Sequence, residues 1–152
     1  MHFRVILTML LAGLLGACSD SNNGYTGVPD TPDPYDANAP TTWTQVYADI
    51  IGPTCASCHN PAGSGGALGK LDMSSPDTAY TNLVNAGAEG SACAGKGIRV
   101  TPNSTAMSIL YLKVSPTEPS PCGLKMPLGG VPLSQNEVDE ITSWINAGAM
   151  DN

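Results

Sequence analysis

Two thiols and an imidazole stand together at Cys55-Ala56-Ser57-Cys58-His59, and three chemistries use such a set. A dithiol–disulfide couple asks for a strand before the motif and a helix after it. Here a helical pattern precedes it and the run Asn60-Pro61-Ala62-Gly63-Ser64-Gly65-Gly66 follows. A zinc site asks for more Cys or His ligands, and beyond the motif the chain after residue 17 offers only Cys18, Cys93 and Cys122. The third chemistry is covalent haem. Two thiols three positions apart each bond one vinyl group, and the next residue presents its imidazole to the iron. One haem c, held by Cys55, Cys58 and His59, is the expectation.

An electron-transferring haem iron takes a second axial ligand. The chain has only two histidines, His2 and His59, and His2 lies in a leader segment described below. The methionines beyond that leader are Met73, Met107, Met126 and Met150. Met107 shares a helical face with Leu110 and Tyr111 across Ser104–Lys113, which predicts core packing. Met73 is expected beside the haem edge, and Met150 in a frayed terminus. Met126, in Cys122-Gly123-Leu124-Lys125-Met126-Pro127-Leu128-Gly129-Gly130, stands on a loop shaped by proline and glycines. It is the expected sixth ligand.

The elements that must position these residues are helical. Trp43, Val46, Tyr47, Ile50 and Ile51 fall on one face of a helix over Thr42–Ile51, with Pro53 expected to stop it just before the motif. A second helix is expected from Pro76 to Asn85, with Pro at its first position after Ser75. A third begins at a capping box of Ser134 and Glu137, with Leu133 and Val138 as its hydrophobic staple. It turns Ile141, Trp144 and Ile145 inward. Both of the latter helices run into Asn-Ala-Gly-Ala, at 85–88 and 146–149, which predicts one glycine C-cap used twice. Trp43 is expected to pack on Trp144 or its neighbours.

The domain of residues 41–152 carries little else to hold it. Charged residues make up 12 % of the chain, against 17 Gly and 13 Pro. Such a composition suits a loop-rich domain stabilised by a cofactor or a disulfide. The net charge of −7 argues against nucleic acid or an anionic membrane surface as partner.

Residues 1–17 place Arg4 before an apolar run from Val5 to Leu15, a secretion signal too short to span a bilayer. Its end, Leu15-Gly16-Ala17-Cys18, resembles the lipobox of bacterial lipoproteins, which implies lipid on Cys18. Ser19 in place of aspartate points to the outer membrane, at its periplasmic face or the cell surface, over the inner membrane. Residues 18–40, with four Asp, four Pro and no Lys or Arg after Cys18, read as a flexible tether. With Cys18, Cys55 and Cys58 assigned, Cys93 and Cys122 remain, and in an oxidising compartment they are expected to form a disulfide.

Three pieces, Cys55–Asn60, Leu71–Val84 and Lys125–Ala149, together resemble a class I c-type cytochrome, most nearly the planctomycete-type cytochrome c domain. The resemblance implies an all-α fold around one haem c, with His59 and Met126 axial. The glycine-rich run after His59 and the Cys93/Cys122 pair depart from the mitochondrial-type pattern. The acceptor for the His59 Nδ1 proton is therefore open, with the Pro61 carbonyl considered first. The expected function is a monomeric, lipid-tethered electron carrier rather than an enzyme, meeting redox partners through their basic docking patches. An open sixth site would instead make it a peroxide- or gas-binding haem protein. A haem-stabilised sensor or interaction lipoprotein is the third reading.

Overall fold

In the computed structural model, residues 40–152 are described; the leader, Cys18 and the tether up to residue 39 lie outside them. Thr42 opens the first helix through a capping box: its hydroxyl accepts from Gln45 N (3.2 Å) while its own amide donates to Gln45 Oε1 (2.8 Å). Helix α1 covers Trp43–Val46 and passes directly into a π-helical segment, Tyr47–Cys55. Pro53 lies inside that segment and does not end it. A proline lacks the N–H that an α-helical turn needs. The wider π turn carries the chain past this gap, with Ala56 N donating to Ile51 O at 2.9 Å. The helical path therefore reaches Cys55 itself.

Four short helices follow: α2 (Ser64–Gly69), α3 (Pro76–Leu83), α4 (Ile109–Val114) and α5 (Gln135–Asn146). Among the described residues, β structure is limited to isolated bridges such as Val84 with Val100 and Ile98 with Ser108. The domain is helical.

Two helix boundaries depart from the sequence pattern for local reasons. Helix α3 stops at Leu83, because Val84 is extended and bridges Val100, and Asn85 N donates to Val100 O at 2.9 Å. Helix α4 starts only at Ile109. The buried Ser108 hydroxyl donates to Ser104 O (2.7 Å) and accepts from Thr101 N (2.9 Å). A side chain that binds nearby backbone in this way favours a turn over a helix. Met107 consequently lies outside α4 and is 67 % exposed, not core.

The two Asn-Ala-Gly-Ala stretches also end differently. In the first, Asn85 takes the left-handed conformation (φ 56°); in the second, α5 runs through Asn146 and Gly148 takes positive φ (103°).

The core joins the first helix to the last. Trp43 and Trp144 lie with ring centroids 5.0 Å apart, and Tyr47 and Tyr80 meet Trp43 edge-on. Each buried tryptophan contributes roughly 2–3 kcal/mol from area alone, and each aromatic pair adds about 0.5–1.5 kcal/mol. The chain end is tied to this cluster rather than frayed. Trp144 Nε1 donates to Met150 O, Tyr80 Oη to Ala149 O, and Trp43 N to Asn152 Oδ1, each at 2.9 Å. Met73 is buried in the same core.

Helix α5 carries the expected capping box, with Ser134 N on Glu137 Oε2 at 2.7 Å, and Leu133 and Val138 are both buried. Ser134→Ala is expected to cost about 1 kcal/mol in urea unfolding. The Ser134 hydroxyl and amide also hold the Glu137 carboxyl below its ordinary value. That contribution is present above the unfolded carboxylate pKa and is lost as pH falls through the lowered folded value. The gap between wild type and Ser134→Ala should therefore narrow in acid, and a constant gap would contradict the assignment.

Candidate haem-attachment site

The π segment delivers Cys55 at its end, and Cys58 N and His59 N both turn back onto Cys55 O at 3.2 and 2.9 Å. Neither Cys55 nor Cys58 is in a disulfide; the first is half-buried and the second exposed. Asn60, which sequence reading passed over, locks this turn. Its Nδ2 donates to Ala56 O (2.9 Å) and Ser57 O (2.8 Å), and its Oδ1 accepts from Ala62 N (3.0 Å). A polar residue directly after the motif, able to cap a helix end, was the available signal.

The glycine run then folds back over the motif. Gly65 N and Gly66 N donate to Cys58 O at 3.0 and 3.3 Å. The approach leaves no room for side chains. A Cβ on Gly63 would lie 2.1 Å from Cys58 O, and one on Gly66 1.8 Å from Asn60 O. A Cβ on Gly65 would sit 2.6 Å from His59 Nδ1 and 2.8 Å from both Cγ and Cε1. The imidazole therefore rests against bare backbone.

His59 Nδ1 is buried and makes no hydrogen bond, to Pro61 or to any other described residue. Burial is the main cause lowering the His59 pKa. The Leu71 and Gly65 backbone groups are near enough to oppose it, though neither reaches Nδ1 with normal hydrogen-bond geometry. Arg99 and Lys113 add positive charge from nearby and lower it further. Arg99 is itself buried, donating to Lys70 O at 2.7 Å and Asn82 O at 2.9 Å. It ties the end of α2 to α3.

Burial first, then Cys58 and Glu137, push the Cys55 thiol up to about 11. A dithiol oxidoreductase needs the opposite shift, because the thiolate is its nucleophile. No group of three or more His, Cys, Asp or Glu side chains gathers among the described residues, so the zinc reading finds no ligand set.

Met126 is half-buried and packs against the same core as Cys55. It lines a cavity of about 280 Å³ with Val114, Ser115, Pro116, Lys125, Pro127 and Pro132. Its amide donates to Lys113 O at 3.0 Å. The loop leading to it is closed by a Cys93–Cys122 disulfide across a sequence separation of 29. On the chain-entropy account this link is worth about 3–4 kcal/mol. Reduction, or a Cys93→Ala/Cys122→Ala pair, should lower unfolding free energy by that amount, and a loss under about 1 kcal/mol would contradict it.

The chemistry of the donor set fits a covalently held haem. Two unpaired thiols share one turn, and the following imidazole rests on bare glycine backbone. The Met126 thioether stands at the rim of a mostly apolar cavity whose lining includes none of Cys55, Cys58 and His59. Cys55 and Cys58 would hold the group and His59 and Met126 would flank its iron, which supplies one-electron chemistry. Among known protein families, curated proteins and solved structures, none matches the chain.

Proposed function

We propose that this chain is a monohaem c-type cytochrome that carries single electrons in the cell envelope, anchored through lipid on Cys18. One observation carries the reading: the CxxCH thiols are unpaired on one turn, and the His59 ring beside them is set against bare glycine backbone. A histidine set against backbone beside two unpaired thiols suits an iron ligand.

The residues around the site would bind and orient the group. Met126 as sixth ligand favours ferrous iron and a raised potential, which suits a carrier. Arg99, Lys113 and Lys125 each donate to backbone carbonyls. Outward charge is thus dominated by carboxylates such as Asp49, Asp77, Glu89 and Asp139, which supports a redox partner with a basic docking patch. No described helix is long and apolar enough to cross a membrane, and the proposed anchor is the lipid alone, with the outer membrane preferred on the identity of Ser19.

The test is the mature protein made in a host that attaches haem c. Intact mass and a haemochrome spectrum report one covalent haem, and a potentiometric titration with spectra reports ligation and potential. An unmodified mass would refute the proposal. A high-spin spectrum would reassign the protein to the open-site, gas- or peroxide-binding class.

A further inference from the structure

The loop that carries Met126 is fastened by two lysines in a way that neither lysine's position in the sequence announces. Lys113, on α4, reaches out to the loop, and its Nζ donates to Cys122 O and Leu124 O, both at 2.7 Å. Lys125, on the loop, reaches back to α4. Its Nζ donates to Leu112 O at 2.9 Å and Ser115 O at 2.6 Å, at the C-terminal end of that helix, and also to Glu118 O. Five carbonyls are thus gathered on two ammonium groups, and no carboxylate takes part.

The geometry suits the charge. A helix C-terminus carries unsatisfied carbonyls and partial negative charge, and a lysine there satisfies both. Hydrogen bonds from an ionised donor are stronger than neutral ones. The carbonyl of Cys122 accepts from Lys113 Nζ and from the Ser120 hydroxyl (2.9 Å), and the disulfide holds its residue. Immediately after Lys125, the Met126 amide donates to Lys113 O. The same two residues therefore fix the chain up to the amide of the residue that carries the thioether.

We propose that Lys113 and Lys125 form a reciprocal clasp between α4 and the 115–126 loop, and that the clasp is the positioning device for the Met126 sulfur. The clasp stands on its hydrogen bonds alone; its role toward iron rests on the haem reading. A thioether is a weak neutral ligand, so a loop free to swing would leave the iron often five-coordinate. A loop pinned up to the Met126 amide keeps the sulfur at hand.

Lys113→Met and Lys125→Met keep the apolar stem and remove the donors. Lys113→Arg keeps the charge and offers N–H groups to both carbonyls. Amide hydrogen exchange of residues 115–126 is read in each variant with α5 as internal reference, and the ferric sulfur-to-iron charge-transfer band is read in haem-loaded protein. Each Met variant is expected to speed loop exchange by about tenfold or more while α5 keeps wild-type protection, and to weaken the band. Lys113→Arg should restore both.

Loop exchange within about twofold of wild type in both Met variants would overturn the clasp. Faster loop exchange with an undiminished band would overturn its positioning role. Should Lys125→Met lose α5 protection too, the Lys113 pair decides. A wild type without covalent haem would defeat the functional reading instead, and the exchange arm would still decide the clasp.

Discussion

Met126→Ala is expected to convert the haem-loaded protein from low spin to a five-coordinate or water-ligated form and to lower its reduction potential by about 0.1–0.3 V, within the roughly 0.8 V that axial ligands span. The sign follows from the sulfur. A thioether stabilises the ferrous state more than the ferric, so its loss favours oxidation. The magnitude follows from competition, because no second histidine is present beyond residue 17. The other described methionines are poorly placed to substitute. Met73 is 3 % exposed within the tryptophan core, and the side chains of Met107 and Met150 are 67 % and 60 % exposed. The stability of the fold should change by less than the potential does, because Met126 is only half-buried and its backbone bond to Lys113 survives. A variant that kept the ferric charge-transfer band and the wild-type potential would remove Met126 from the iron and with it the main support for a carrier.

How much of this could be read from the chain alone depended on whether a residue's partner lay nearby in sequence or was left over by counting. The capping box at Ser134 and Glu137 needs only a three-residue spacing. The Cys93–Cys122 link needs only that two cysteines remain once the others are assigned. Trp43 on Trp144 follows from two amphipathic faces that must meet.

The features that escaped depend on backbone detail. Pro53 signals a helix end in any pattern argument, yet a π turn passes it without loss. Ser108 belongs to an apolar periodicity, yet its hydroxyl binds Thr101 and Ser104 and keeps that stretch out of the helix. The two Asn-Ala-Gly-Ala stretches are identical in sequence, but one is drawn into a bridge with Val100 and the other is free to follow its helix to the glycine.

Charged side chains were the least legible. No pattern in the sequence marks Lys113, Lys125 or Arg99, and each donates to carbonyls of neighbouring segments. Nothing in the spacing of a lysine tells whether its ammonium meets water or a helix end. The glycine run after His59 was visible only as a departure from a familiar pattern. Its purpose became legible once the distances from Gly63, Gly65 and Gly66 to the motif were known.

Gly65→Ala tests that purpose directly. The new Cβ would overlap three atoms of the His59 ring, at 2.6–2.8 Å, where ordinary carbon contacts begin near 3.5 Å. The glycine cannot simply retreat, since its amide is bonded to Cys58 O. The ring cannot simply retreat either, because its own carbonyl accepts from Met73 N at 2.7 Å and its Nδ1 edge is buried. Strain of this kind costs about 3 kcal/mol, at the upper end of usual overpacking. On the proposed ligation it also tilts the imidazole away from the iron, so the yield of low-spin, haem-loaded protein should fall together with stability. Gly69→Ala is the matched control. Its Cβ would meet the same ring at 3.5 Å from Cε1 and 3.8 Å from Nδ1, ordinary contact, and it should leave ligation intact. Urea unfolding and the haem spectrum of the two variants, measured side by side, separate a wall built for His59 from a loop that happens to be rich in glycine. Equal behaviour of the two would mean that the close approach at Gly65 has no part in holding the ring.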